Sequence, residues 1–439
     1  MMTQVYDFIG IGLGPFNLSL AALTAPHQHI NAVFFEQREN FNWHPGMMLD
    51  DVTLQTPFMS DLVTLADPTS EYSFLNYAKQ HNKLYAFYIR EDFFLLRKEY
   101  NQYCQWVSQS LSNIRFKHTV TKVSFDEAER YYQVEVTSGP TTTVYYARHI
   151  VLGTGPQPFL PECARQSNPQ VLHSSAYLSR KAQMLEAKRI TLVGGGQSAA
   201  EIYYDLLQHQ GDNGPHIDWI TSSPRYFPLE YTKLTLEMTS PEYVDYFYQL
   251  PQPTRDTLNK AQKNLYKGIN SELINKIYDL LYQRSLDAPP RTRLKTHSRL
   301  VALDNCRQQR DISLTFHHEE LDQHYRIHSD YVVMATGFNY QMPGFLAPLK
   351  EHLSFDKFGR FAVNRQYAID RAGQGVFVQN AEQHTHGFVS PDLGMACYRN
   401  SIILNAIVGG EVYPVEQRIA FQTFDLDDVE CVRHKEDAA

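Results

Sequence analysis

RITLVGGGQSAAE (189–201) sets an apolar, strand-like run beside a knot of glycines and a string of small residues that start a helix. The spacing Gly194-x-Gly196-x-x-Ala199, with Gln197 and Ser198 between, is the G-x-G-x-x-A form of a strand–turn–helix that brings backbone amides to a pyrophosphate. The same grammar appears earlier, in YDFIGIGLGPFNLSLAAL (6–23). There Gly10 permits the tight turn and Gly12 lets a pyrophosphate approach the backbone. Gly14 precedes Pro15, which stands at the usual third glycine and is tolerated in a first helical turn. Glu36 closes the next strand, AVFFE (32–36), where a ribose-binding acid belongs. A purely structural glycine turn is the rival reading, and Glu36 weighs against it.

No acid ends the strand after the second turn. IDWITSSPR (217–225) instead offers Ser222, Ser223 and Arg225, hydroxyls and a cation suited to a 2′-phosphate, which favours NADPH over NADH. The competing reading makes Arg225 a solvated loop residue. Two dinucleotide turns in one chain imply a bound flavin and its hydride donor, with FAD at the first turn and NADPH at the second.

Strand-like segments AVFFE, HIVLGTG (149–155), RITLVGG and IDWIT alternate with helical stretches, the pattern of an α/β fold with parallel sheets. Residues 226–295 read as mostly helical. Ser240-Pro241-Glu242 is a helix start, and Leu273, Ile277, Leu280 and Leu281 recur at helical spacing. Strand grammar returns in SDYVVMATGF (329–338) and GVFVQNA (375–381), so the second nucleotide unit is inserted into the first. The expected division is 1–165 and 335–439 for FAD, 166–225 and 296–334 for NADPH, and 226–295 for a substrate region. GTGPQPFLP (153–161) and MATGF (334–338) place small residues after strands, suited to close backbone passage between units or to simple tight turns.

The 439 residues suffice for two or three domains, and 43% apolar with 20% charged residues is ordinary for a globular protein. A net charge of −8 without a basic stripe argues against nucleic acid. The N-terminal apolar stretch lacks a basic flank and carries Asp7, so it is not read as a signal peptide. No apolar run is long enough to span a membrane. Cys104, Cys163, Cys306, Cys397 and Cys431 form no C-x-x-C, which fits a reducing cytoplasm, supplies no metal site and excludes a disulfide reductase. The tail DLDDVECVRHKEDAA (425–439) reads as polar and frayed. A flavin without a thiol acceptor points to oxygen, hence to a monooxygenase.

GIGLGPFNLSLAAL (10–23), FNWHPGMML (41–49), LQTPFMSDLVTLADPTSEYSFLNY (54–77), GGGQSAAE, MATGF and NAEQHTHG (380–387) occur in an order that resembles the microbial N-hydroxylating flavin monooxygenases. These are the lysine, ornithine and diamine hydroxylases of hydroxamate siderophore pathways. The resemblance implies a glutathione-reductase-like two-dinucleotide fold, FAD, NADPH, O2 and a homotetramer or homodimer. The chemistry it implies is attack of an amine lone pair on a C4a-hydroperoxyflavin. It also implies that Trp43, His44 and Gln55 line the isoalloxazine, that Arg97 stands near the cofactors, and that Asn380, His386 and Gly387 sit at the flavin end. Core packing for Trp43 and a surface position for Arg97 are the plainer alternatives.

Ser60 stands where the amino-acid hydroxylases resembled here carry a lysine for the substrate carboxylate. Leu236 replaces an asparagine and Gly394 a serine of the same pocket. A buried carboxylate without a cation is strongly unfavourable. The expected substrate is therefore a short aliphatic diamine such as putrescine or cadaverine, with ornithine or lysine as the alternative. Glu237 and Asp392 are the candidate anchors for the second ammonium. A Baeyer–Villiger enzyme and a nucleotide-binding redox sensor are the other classes.

Overall fold

The computed structural model describes residues 4–165, 168–211, 213–306, 311–427 and 429–430. Cys431 and most of the polar tail lie outside the described residues. The architecture is the expected α/β one, with two dinucleotide units.

Strand β1 (Val5–Ile11), helix α1 (Pro15–Thr24) and strand β2 (Ala32–Glu36) form the first unit's nucleus. β1 runs parallel to β2 on one side and to Thr141–Leu152 on the other. On its other edge that long strand serves two further neighbours. Residues 141–147 pair antiparallel with Tyr131–Ser138, and Ile150–Leu152 pair in parallel with Val376–Val378 from far along the chain. Seven strands result. α1 starts on Pro15 with Gly14 as its cap, and its residues from Asn17 on are all buried. It lies between the sheet and the late helix Ala396–Val408, whose Asn400 donates to the Phe16 carbonyl and the Ser19 hydroxyl.

The second unit repeats the plan with β3 (Arg189–Val193), α2 (Gln197–His209) and β4 (His216–Ile220). Its five-stranded sheet is wholly parallel, with Tyr331–Met334 and Val171–His173 on one side of β3. Ala199, Ala200, Ile202, Tyr203, Leu206 and Leu207 turn the same face of α2 inward and are fully buried. Thr292–Lys295, which the sequence reading left in the helical region, pairs with β4 and closes this sheet. The helical region therefore ends before residue 292. A three-stranded antiparallel meander (Ser298–Cys306, Asp311–His318, Gln323–Ser329) leads back to the last strand of the unit.

Between the units the chain passes twice, and the two passages hold each other. Gln157–Pro158 pairs with Phe338–Asn339, and Phe159 N–H donates to the Gly337 carbonyl at 2.9 Å. This is where the small residues of GTGPQPFLP and MATGF are needed. Gly12 (φ +84) would bring a Cβ to 2.8 Å from the Gly153 oxygen, and Gly194 (φ +145) to 2.3 Å from the Ala335 oxygen. Each phosphate turn thus leans on one passage, in a conformation and a space that exclude a side chain.

In the helical region Ser240 caps Pro241–Gln249 by accepting from Tyr243 N–H, and Asn270 caps Ser271–Ser285 by accepting from Glu272 and Leu273 N–H. Of the four apolar residues at helical spacing, Ile277 is buried, while Leu273, Leu280 and Leu281 pack half-buried against the second unit. Among the described residues, no helix is long and apolar enough to cross a membrane.

Candidate active site

A cavity of about 1110 Å³ opens between the first glycine turn, the loop at 43–45, the strand Thr53–Pro57 and the helical region. Its first end is backbone-lined. Gly12, Gly14, Pro15 and Gly153–Gly155 form the wall, and nothing lies within 4 Å of where a Gly14 Cβ would stand. Glu36, nearly buried, accepts from Leu13 N–H at 2.8 Å and from Arg38 N–H at 2.9 Å, and Arg38 Nε closes the pair at 3.1 Å. Thr56 Oγ1, also on the wall, is buried without a partner. This side-chain-free cradle with an acid at its rim fits an extended dinucleotide.

Gly10 has another role than the expected one. It lies beneath the turn, where a Cβ would run into the Phe34 ring at 2.2 Å, so it serves packing rather than the cavity.

The middle of the cavity gathers Trp43, His44, Gln55 and Arg97. Trp43 N–H donates to Asn101 Oδ1, and its ring packs on Tyr100. His44 sits in the left-handed region (φ 48), open to the cavity but enclosed by protein. Burial, with Arg97 and Arg38 nearby, lowers its pKa to about 4, so the imidazole is neutral near pH 7. The W-H-P-G stretch also explains itself here. A Cβ on Gly46 would fall 1.8 Å from the Ser175 carbonyl oxygen of the second unit, so this loop docks the two units backbone to backbone.

Asn380 (φ +60) lines the cavity, but His386 and Gly387 do not. The His386 ring is fully buried, stacked on Tyr367 at 4.3 Å, and burial pushes its pKa well below the usual value. Gly387 abuts the Phe247 ring. Both support the floor behind Phe388, which is the residue that reaches the wall.

Of the second turn, only Ser198 reaches this cavity. Gly196 caps α2, Ala199 is buried against the sheet, and Gln197 is engaged by its neighbours: its Nε2 donates to Glu201, and its Oε1 accepts from Asn270 N–H and from Gln55. Ser222 and Arg225 are exposed beyond β4, with the Arg225 guanidinium 4.5 Å from the centre of the Phe227 ring.

At the far end Leu236 and Asp392 line the wall. Ser60 and Gly394 stand directly behind it, for a Cβ on Gly394 would lie 3.2 Å from both Ser60 Oγ and Asp392 Oδ1. Asp392 Oδ1 accepts from Gly394 N–H at 2.7 Å, while Oδ2 takes no hydrogen bond among the described residues. Burial raises this carboxyl above the usual range, opposed by the Gly394 N–H and by Arg399. Glu237 turns the other way. One residue further along a helix is a rotation of about 100°, and its carboxylate instead accepts from Phe421 and Gln422 N–H, each at 3.1 Å. With Glu242, which accepts from Ala420 N–H, it fastens the C-terminal segment over the helical region.

Sequence reasoning missed Tyr231, Thr239 and Tyr266, which line the far end, because nothing in their spacing separates a pocket wall from a helix surface. It also missed Glu201, whose only sign is an acid at a position of α2 that faces the core, as Asp205 also does one turn later. Among the described residues, no His/Cys/Asp/Glu group could hold a metal ion.

A family model for L-lysine 6-monooxygenase/L-ornithine 5-monooxygenase matches residues 4–340. The putrescine N-hydroxylase of Shewanella oneidensis is 51% identical over 423 residues, 96% of this chain and 84% of its own. The FAD-bound cadaverine monooxygenase of the desferrioxamine pathway from Erwinia amylovora is similar in structure, with TM-score 0.95 and 54% identity over 96% of this chain and 99% of that one. The ornithine N-hydroxylase of Kutzneria sp. 744, solved with FAD, NADP+ and L-ornithine, gives TM-score 0.85 at 28% identity over 92% of this chain and 99% of that one. With its two glycine turns, its cavity and these likenesses in agreement, the chain belongs to the L-lysine 6-monooxygenase/L-ornithine 5-monooxygenase family.

Proposed function

We propose that the protein is an FAD- and NADPH-dependent monooxygenase that N-hydroxylates one primary amine of a short aliphatic diamine, putrescine or cadaverine, for hydroxamate siderophore synthesis. The overall reaction takes the amine, O2, NADPH and a proton to the hydroxylamine, NADP+ and water. The observation that carries the substrate is the charge of the cavity wall. Among the described residues, Arg38 and Arg97 are its only arginines and no lysine lines it, and both guanidiniums already hold carboxylates, Glu36 and Glu201. An amino-acid head would enter without a cation to receive it. A second ammonium instead meets Asp392, which has a free oxygen. The likeness to diamine hydroxylases at 51% and 54% identity supports the same choice.

Bound at the first turn, reduced FAD supplies oxygen in a form that an amine lone pair can attack. This chain's residues do the rest. Gly12 and Gly14 admit the pyrophosphate, Glu36 receives the ribose, and Trp43, Gln55 and Asn380 border the reacting end. An alkylammonium has a pKa near about 10.4 in water. The enclosing wall favours the neutral amine that the reaction needs, and neutral His44 adds no repulsion to a dication. In this reading 1–165 and 335–439 hold FAD, and 166–225 with 292–334 hold NADPH, Ser222 and Arg225 receiving the 2′-phosphate. The segment between shapes the substrate end. The free thiols of Cys104, Cys163 and Cys397 suit a cytoplasmic enzyme, and a homotetramer or homodimer is the expected assembly.

The test is a panel of putrescine, cadaverine, ornithine and lysine scored by hydroxylamine formed, since NADPH oxidation alone also counts uncoupled peroxide. Diamines are expected to exceed the amino acids by about 100-fold in kcat/KM, the worth of one unpaired buried carboxylate. Faster hydroxylation of ornithine or lysine would overturn the diamine assignment.

A further inference from the structure

The two units are joined where Gln157–Pro158 pairs with Phe338–Asn339, and they meet again at a second place on the cavity wall, around Arg97. There Arg97, from the first unit, grips Glu201 of α2 with both guanidinium nitrogens, Nη1 to Oε2 at 3.0 Å and Nη2 to Oε1 at 2.8 Å. Arg97 Nη1 also donates to the Met47 carbonyl at 2.8 Å, in the loop whose Gly46 docks on Ser175. Glu201 accepts a further bond from Gln197 at 2.9 Å, and Gln197 reaches Gln55 across the gap at 3.3 Å. The Glu201 side chain is 1% exposed and the Arg97 side chain 14%. Glu201 shares the buried face of α2 with Asp205, but whereas Asp205 is held by Tyr177 and Lys181 of its own unit, Glu201 is held across the gap by Arg97. A hydrophobic residue would serve the core better. What it does, and an apolar residue could not, is tie the first turn of α2 to the wall of the cavity.

We propose that Glu201 is a positioning residue for hydride delivery. It fixes the N-terminus of α2, where the second nucleotide's phosphates bind, relative to the first cradle, and it holds the Arg97 guanidinium against the wall rather than free in the cavity. The inference rests on the reading of the second turn as the NADPH site. Hydride transfer demands near-contact of donor and acceptor, and a displacement of about 1 Å costs on the order of 100-fold in rate. Ser198, three residues before Glu201 and the one residue of the second turn on the cavity wall, would shift with the helix. A Gln at 201 keeps the shape but loses the charge. An Asp keeps the charge but shortens the reach.

The experiment compares wild type, Glu201→Gln and Glu201→Asp as FAD-loaded enzymes under anaerobic stopped flow, with flavin reduction by NADPH set against reduction by dithionite. Wild-type reduction by NADPH is the control for the parent reading. If it fails, the second turn is not an NADPH site. Given that control, Glu201→Gln is expected to slow reduction by NADPH at least tenfold at saturation and leave dithionite reduction unchanged, with Glu201→Asp intermediate. On flavin-free protein, hydrogen exchange at 45–48 and 197–201 is expected to rise in Glu201→Gln. A purely structural role would lower the melting temperature but leave the NADPH-to-dithionite ratio of the folded enzyme as in wild type, and that result would overturn the proposal. Should Glu201→Gln not accumulate, Arg97→Lys, which keeps the charge but loses the two-pronged grip, is read in the same way, with the same expected slowing and the same overturning result.

Discussion

At the scale of single residues, the substrate end turns on three neighbours, Asp392, Gly394 and Ser60. Asp392 keeps one oxygen on Gly394 N–H and one available, and Ser60 backs both. Asp392→Asn retains the Gly394 bond and removes the charge. A charged hydrogen bond contributes about 1.5–3 kcal/mol, so KM for the diamine is expected to rise about 10- to 100-fold, with a smaller change in kcat, by steady-state hydroxylamine assay. Ser60→Lys brings an ammonium to the same spot. Ser60 is buried and flanks Gly394 together with Asp392, so the ammonium is expected to pair with Asp392 and occupy the anchor. The expected outcome is a KM for putrescine or cadaverine raised at least about tenfold, without a matching gain on ornithine, because Leu236 and Gly394 still offer its head nothing. No change on either substrate would show that position 60 does not communicate with the pocket. Ser60, Leu236 and Gly394 were legible as departures from a pattern, and Asp392 only as a nearby acid. Glu237 was misjudged because the phase of a one-turn helix, Lys233–Leu236, cannot be read from so few residues.

At the scale of elements, both glycine turns could be read, since strand, turn and helix follow one another within a few residues. The role of Gly10 could not, because what excludes its side chain is Phe34 on the neighbouring strand, a contact set by sheet pairing. Thr292–Lys295 escaped for a different reason: a short, polar strand on a sheet edge carries no hydrophobic alternation. The docking loop gives the sharpest test at this scale. Gly46→Ala would force a methyl group into a carbonyl oxygen 1.8 Å away, with backbone on both sides. Relief requires the units to part, so the variant is expected to lose about 1–3 kcal/mol of stability, read by denaturant or thermal melting, and to weaken coupling of NADPH use to hydroxylamine. A stability and coupling equal to wild type would contradict the docking described.

For the molecule as a whole, several imidazoles are kept uncharged. Burial lowers the pKa of His44 to about 4, and it also lowers His173 and, further, His386. Unfolded, each titrates near about 6.5. As pH falls below that value the unfolded chain takes up protons that the folded one refuses, so stability drops with falling pH, fully present above about 6.5 and lost progressively toward 4. Each fully buried imidazole contributes up to about 1.4 kcal/mol per pH unit in that window, with less for His44, which opens on the cavity. Melting temperatures taken from pH 7 to pH 4 should fall steadily. A flat profile would mean that these rings are protonated in place.

The end of strand Thr141–Leu152 gains its second partner only from Val376–Val378, and the packing around α1 is finished by Ala396–Val408. A chain emerging from the ribosome therefore holds a sheet one strand short of seven through the synthesis of more than two hundred residues, while the inserted unit has all its strands by Met334. The unit that starts second is able to finish first. Its closure brings Gln157–Pro158 and Phe338–Asn339 side by side and delivers the late strand to the place where the waiting edge needs it.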